Sequence, residues 1–428
     1  MLTRTCTMTR VCGEIKVPGD KSISHRALIF ASLADGVSTI RNFLAADDCL
    51  ATMHAMQAMG ADIALNGTTL TVRGMGMGGL KCPTQVLDVR NSGTSARLLL
   101  GVLAAQDFEV QITGDDSLRR RPMKRVIEPL EKMGAKFTSS SGDVLPVRVL
   151  RKDRPLEGIH YRTPLASAQV KSAILLAGMY AEGSTSVEEP HGSRDHTENM
   201  MAHLGLPIKR AGLTTTIEKV TKIPAFQCDV PGDISSAAFF IVLALIVPDS
   251  ELVLKNVGLN PTRTGFLKVL QRMGADIKIL NQNMDSFEPF GDLLVRSSFL
   301  TGTDILAEEI PSLIDEIPVL AVAAAKAEGL SRIQGAEDLR QKESDRLQAL
   351  ASNLKNMGVN VLEKKDGLEI KGQKDFSSAR VRSFGDHRIA MAMEIAKKAA
   401  QNEIQIDNTD CVNISFPQFY ELLRDVLE

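Results

Sequence analysis

The chain has 428 residues, 44% hydrophobic and 24% charged, which is enough for two domains that each bury a sizeable core. A formal net charge of -2, with no Trp and three Tyr, excludes a general nucleic-acid binder, because neither a basic excess nor stacking aromatics are present. The most apolar run, residues 237–247, is far below the roughly 20 residues that span a bilayer.

The six cysteines (6, 12, 49, 82, 228 and 411) contain no C-x₂-C pair, and residues 1–12 carry no apolar leader, so a cytoplasmic protein with reduced thiols is expected.

In chain order, the elements repeat. Val17-Pro18-Gly19-Asp20 leads into residues 22–33, rich in small and apolar side chains, which read as a helix buried on most sides. A strand over 37–41 follows, then an amphipathic segment ending at Met59-Gly60-Ala61, then strands, the last over 69–73. Buried helices are expected again over 92–105, 166–181, 234–246, 315–327 and 386–399. Strands are expected after them, as over 110–113, 185–187 and 404–406. The closing phrase recurs as Met133-Gly134-Ala135, Leu204-Gly205-Leu206, Met273-Gly274-Ala275 and Met357-Gly358-Val359, its glycines spaced 74, 71, 69 and 84 residues apart. Gly at that place fits the left-handed residue that ends a helix. The sixth unit stops at its outer helix, 416–427, without a closing strand pair, and residues 13–17 are available to supply a strand. Val230-Pro231-Gly232-Asp233 echoes the first such phrase 213 residues on.

The expected fold is therefore α/β: two similar domains, each of three βαβαββ units with buried helices, joined by two crossovers. One domain is continuous, 20–230; the other joins 1–19 to 231–428.

Helix N-termini offer unpaired N–H groups and a positive dipole end to anions. Three buried helices carry suitable groups there: Lys21, Ser22 and Arg26; Asn91-Ser92-Gly93-Thr94; and Ser167-Ala168-Gln169-Val170-Lys171. Each alone is more simply an ordinary N-cap, but their matching places in the repeat favour one anion cleft between the two halves. Arg121-Pro122 precedes the second outer helix. Lys342-Glu343-Ser344-Asp345-Arg346 opens the fifth, with Lys342 and Arg346 as i,i+4 neighbours. Asp315-Glu316 opens the fifth buried helix, where a carboxylate could be an N-cap. Arg388 enters a very apolar helix, which costs energy unless it is paired or holds an anion. No metal-ligand spacing, P-loop or dinucleotide fingerprint is present, so no cofactor is expected and charge positioning with proton transfer is the available chemistry.

Five motifs in order, Pro18-Gly19-Asp20-Lys21-Ser22-Ile23-Ser24-His25-Arg26, Asn91-Ser92-Gly93-Thr94, Arg121-Pro122-Met123, Lys342-Glu343-Ser344-Asp345-Arg346 and Asp386-His387-Arg388-Ile389-Ala390-Met391, resemble the enolpyruvyl transferase family from about residue 13 to the C-terminus. The family fold has the same two-domain, six-unit plan. The resemblance implies transfer of the enolpyruvyl group of phosphoenolpyruvate to the 5-hydroxyl of shikimate 3-phosphate, with release of phosphate, in aromatic amino-acid biosynthesis. It implies that Ser22, Arg26, Ser167, Ala168, Gln169, Asp315 and Lys342 hold shikimate 3-phosphate, with Arg194 a further phosphate contact. Lys21, Gly93, Arg121, Gln169, Arg346 and Arg388 would hold phosphoenolpyruvate. Asp315 would take the hydroxyl proton, and Glu343 with Lys21 would handle protons at the enol carbons. Anionic substrates would draw the two domains together. Partners are expected to be these two small molecules only, with no nucleic acid or membrane, on a monomer.

Three departures or choices matter. Ala168 stands where other members have Ser, and Ile414 stands near a common Lys. Gly93, rather than Ala, leaves room for glyphosate in the phosphoenolpyruvate site. A member acting on UDP-N-acetylglucosamine usually carries Cys before the Arg-Pro pair, where Asp116 falls here. A non-catalytic anion-binding repeat protein is the remaining alternative, and it should tolerate loss of Asp315 and Glu343.

Overall fold

The computed structural model describes residues 10–139 and 142–428; the reading of residues 1–9, Cys6 included, lies outside them. The chain divides into two compact units, one of Gly19–Pro231 and one joining the segment up to Pro18 with Gly232–Glu428.

In Gly19–Pro231 the three buried helices are Lys21–Leu33, Gly93–Leu103 and Ala168–Gly178. Each begins on a side-chain cap: Asp20 accepts from Ile23 N–H, Ser92 from Ser95 N–H and Ser167 from Val170 N–H, satisfying donors the helix itself leaves open. Gly101 lets two of these helices meet backbone to backbone, since a Cβ there would lie 2.3 Å from the Ala173 carbonyl oxygen. Gly93–Leu103 and Ala168–Gly178 each join two parallel strands of one sheet, whereas the parallel partner of the strand after Lys21–Leu33 comes from residues 227–229; a hairpin completes each four-stranded sheet. The orders are 227–229/37–41/69–73/62–66, 87–88/110–113/147–150/136–139 and 160–162/185–188/214–217/208–211.

The other unit repeats the plan around Ile234–Ile246, Ile317–Lys326 and His387–Lys398. Ile234–Ile246 is apolar on every face and is buried from Ile234 through Leu245. Asp233 and Asp386 cap the first and third of these helices, whereas Glu316 precedes the second without a side-chain cap bond. Phe239 and Phe240 pack against Phe416 and Phe419 with ring centroids 5.6–6.1 Å apart within this group, which fixes the terminal helix Phe419–Asp425.

The five glycines of the closing phrase, 60, 134, 205, 274 and 358, all have positive φ, from 70° to 102°. They follow helices as the periodicity predicts.

One strand assignment differs from the sequence reading. Cys12–Ile15 does not complete the sixth unit. It pairs in parallel with Glu251–Gly258, while Gln227–Asp229 pairs with Val37–Arg41. The sixth unit keeps only the pair Ala379–Val381 and Ile404–Ile406, and the N-terminal segment touches its end through Val11 and Leu427. The two crossovers thus exchange first strands. Asp20 N–H donates to the Pro231 carbonyl at 2.8 Å and Asp233 N–H to the Pro18 carbonyl at 2.9 Å. A Cβ on Gly19 would lie 1.8 Å from the Asn42 carbonyl oxygen, so this crossover requires glycine.

Among the described residues no helix is long and apolar enough to cross a membrane, and no cluster of three or more His, Cys, Asp or Glu is placed to hold a metal.

Candidate active-site clusters and the family of the chain

In Gly19–Pro231 the sequence-selected residues gather at the starts of the three buried helices. Lys21 Nζ lies 2.9 Å from Asp48 Oδ2. Arg26 is buried; its Nε donates to Thr197 Oγ1 (2.6 Å), Nη2 to Ser172 Oγ (2.7 Å) and Nη1 to the Ser22 carbonyl (2.9 Å). Gln169 is oriented from both ends, accepting from Arg97 Nη1 at 2.7 Å and donating to Thr94 Oγ1 at 3.0 Å. Of Arg119, Arg120 and Arg121 only Arg121 is buried, with Nη2 2.9 Å from Asn91 Oδ1. Gly93 sits among these guanidiniums: a Cβ would lie 3.0 Å from Arg97 Nη1 and 3.3 Å from Arg121 Nη1. Ser167, Ala168 and Gln169 are half-buried at the start of their helix, and Arg194 is half-buried just before His196–His203.

Beneath them lies a buried ionic triad. Lys171 Nζ is 2.6 Å from Glu189 Oε2 and 2.7 Å from Glu198 Oε1. Burial opposes the ammonium charge, but Glu198 and Glu189 outweigh it and raise the lysine's pKa. His25 is also buried, Nδ1 2.8 Å from Thr52 Oγ1. Burial, against the pull of Asp48, lowers its pKa to about 3.

In the other unit, cations converge on Asp315. Arg346 Nη1 is 3.5 Å and Lys342 Nζ 3.8 Å from its Oδ1; Arg388 Nη2 is 3.9 Å from Oδ2, and Arg388 Nη1 donates to its carbonyl at 3.0 Å. Arg346 is 1% exposed and is held by Asp386 (Nε to Oδ2 2.8 Å, Nη2 to Oδ1 3.2 Å) and Glu343 (2.6 Å). Burial alone would raise the Asp386 pKa; the adjacent Arg346 more than reverses this and keeps it low. Asp386 also accepts from Arg388 N–H at 2.9 Å and Ser344 Oγ at 3.1 Å.

Two local expectations need correction. Lys342 and Glu343 are not helical neighbours of Arg346, because the helix is Arg346–Asn356 and starts only after Asp345, whose side chain accepts from Gln348 N–H. Lys342 and Arg346 meet through their common approach to Asp315 instead. Nor does Asp315 cap the helix, which begins two residues later at Ile317. Ile414, the site of one departure, is half-buried at the end of a 3₁₀ turn, Asp410–Ile414.

The sequence reading singled out Lys171 with its helix start but not Asp48, Thr197, Ser172, Glu189 or Glu198 as partners of the site. Arg194, expected as a phosphate contact, lies three residues before Thr197 and was the residue that drew attention to that part of the chain.

The EPSP synthase (3-phosphoshikimate 1-carboxyvinyltransferase) family model matches residues 6–423. A protein of Petrotoga mobilis called 3-phosphoshikimate 1-carboxyvinyltransferase is 51% identical over 417 residues, covering 96% of each chain. One of the same name from Geobacter metallireducens is 50% identical over 415 residues, covering 97% of this chain and 96% of its own. A solved EPSP synthase from Acinetobacter baumannii is similar with a TM-score of 0.88 at 42% identity, over 98% of this chain and 97% of that one. With the motifs, the repeated units and these matches in agreement, the chain belongs to the EPSP synthase family.

Proposed function

We propose that this chain transfers the enolpyruvyl group of phosphoenolpyruvate to the 5-hydroxyl of shikimate 3-phosphate and releases phosphate, acting in the cytoplasm as a monomer without a cofactor. The observation that carries the assignment of roles is the convergence of Arg346, Lys342 and Arg388 on Asp315, with Glu343 paired to the same arginine. That arrangement puts two carboxylates beside groups that attract phosphate and carboxylate oxygens.

Ser22, Arg26, Ser167, the Ala168 backbone, Gln169, Arg194, Asp315 and Lys342 bind shikimate 3-phosphate in this reading. Lys21, Gly93, Arg121, Gln169, Arg346 and Arg388 bind phosphoenolpyruvate. Planar guanidinium suits both anions because it can donate two parallel hydrogen bonds to one phosphate or carboxylate. The buried position of Arg26 and Arg346 strengthens each such bond by excluding water.

Asp315 accepts the proton of the 5-hydroxyl as that oxygen attacks C2 of phosphoenolpyruvate. A proton from Glu343 or Lys21 reaches C3, giving a tetrahedral adduct with a methyl group. Return of a proton from that methyl, with cleavage of the C–O bond to phosphate, forms the enol ether. The cations stabilise charge that grows on the departing phosphate. Glu343 is suited to the proton step because its partner Arg346 holds it in place.

Phosphate release with both substrates, measured for wild type and Asp315→Ala, tests the proposal. A drop in kcat of at least about 10²-fold is expected from loss of a general base. Full activity in the variant would refute the role, and no phosphate release by wild type would refute the function.

A further inference from the structure

Two helix starts in Gly19–Pro231, those of Ala168–Gly178 and His196–His203, are joined by two adjacent rungs. One is a hydroxyl rung: Ser172 Oγ and Thr197 Oγ1 lie 2.7 Å apart, and both accept from Arg26. The next is ionic: Lys171 bridges to Glu198 on the second helix and to Glu189, which follows the strand Thr185–Glu188. The side chains of Lys171, Glu189 and Glu198 are 4%, 4% and 2% exposed, so this triad does not meet a ligand itself. Its remaining bonds are directed at the site. Glu189 Oε1 accepts from Ser167 N–H at 3.3 Å and Oε2 from Ser193 N–H at 3.4 Å. Ser167, and Arg194 next in sequence to Ser193, are assigned above to shikimate 3-phosphate.

We propose that Glu189, anchored by Lys171, is a positioning residue for shikimate 3-phosphate: its carboxylate ties the Ser167 and Ser193 backbones together and sets the spacing of the groups that receive the substrate. Glu198 has a different part. It balances Lys171 but accepts from neither backbone amide, so it serves the anchor without setting the spacing. A carboxylate can accept from both amides and the ammonium at once. An amide offers one oxygen, and its NH₂ group faces a donor, so Glu189→Gln must lose or rearrange at least one of the three bonds. The inference rests on the proposed reaction, because it concerns the spacing of that substrate's ligands.

Steady-state kinetics of the intact chain test it, with Glu189→Gln, Glu189→Asp and Glu198→Gln compared with wild type. Misplacing binding groups by a fraction of an ångström should raise KM for shikimate 3-phosphate roughly ten-fold in both Glu189 variants. The kcat value and KM for phosphoenolpyruvate should stay within about two-fold, because the groups that hold and protonate that substrate are untouched. Glu198→Gln should leave all three within about two-fold. A uniform loss of kcat, an equal KM rise in Glu198→Gln, or loss of the folded state in both Glu189 variants would overturn the positioning role. If wild type turns over and Glu189→Gln keeps its KM, the positioning role fails while the function stands. If wild type does not turn over, the function itself fails.

Discussion

Replacing Asp386 by Ala removes the partner that holds Arg346 most closely. Asp386 is fully buried, makes two bonds to a guanidinium that is 1% exposed, and accepts from Arg388 N–H at the start of the helix His387–Lys398. Taking one partner from a buried ion pair costs about 3–5 kcal/mol, and loss of a helix cap about 1 kcal/mol. Glu343, 2.6 Å from Arg346 Nη2, remains and still balances its charge, so the lower end applies, about 4 kcal/mol in all. At roughly 2–4 °C per kcal/mol for a unit of this size, the Tm should fall by about 8–16 °C. Asp386→Asn keeps one oxygen that can still accept from Arg388 N–H and should lose about half as much. Differential scanning calorimetry at neutral pH gives the Tm directly. In the same variants KM for phosphoenolpyruvate should rise, as Arg346 loses its orientation. A Tm within about 2 °C of wild type for Asp386→Ala would refute the reasoning, because it would mean the pair contributes almost nothing beyond what Glu343 supplies.

His25 makes stability depend on pH. Its folded pKa near 3 lies below the 6.5 of the unfolded chain, so stability is complete above pH 6.5 and declines as pH falls toward 3. At pH 4.5 this one group removes roughly 3 kcal/mol, and superimposable urea-unfolding curves of wild type and His25→Gln across pH 6.5 to 4.5 would exclude it. Gly93→Ala places a methyl group against the Arg97 and Arg121 guanidiniums. KM for phosphoenolpyruvate should rise roughly three- to ten-fold, with stability changed by less than about 1 kcal/mol. The room at Gly93 also predicts that glyphosate inhibits wild type; unchanged activity under excess inhibitor at low phosphoenolpyruvate would contradict that. Lys21→Met should lower kcat more than it lowers stability, since the Lys21–Asp48 pair is partly exposed, and parallel kinetic and melting measurements separate the two effects.

Much of the fold is local in origin and so was readable in the chain. Asp20, Ser92, Ser167, Asp233 and Asp386 cap the helices that follow them within two or three residues, and Gly60 or Gly274 ends a helix through its own φ. The site was legible to the extent that its groups sit in such helix starts. Its internal pairing was not. Lys21 meets Asp48 27 residues away, Arg26 meets Thr197 171 residues away and Arg346 meets Asp386 40 residues away. Nothing in the local pattern distinguishes Asp48 from any other acidic residue of a first turn.

By itself the sequence determined the six-fold order of elements, the places of the buried helices, and the residue types that gather where their N-termini open. Helix caps, apolar periodicity and glycine conformation act over a few residues, so no knowledge of distant chain is needed to read them. The tertiary structure alone decided that Cys12–Ile15 pairs with Glu251–Gly258, that Gln227–Asp229 returns to Val37–Arg41, and that Lys342, Arg346 and Arg388 converge on Asp315. Strand pairing and buried ion pairs join segments far apart in sequence. Many strands of similar composition and many carboxylates compete for each such place, and only the packed core selects among them.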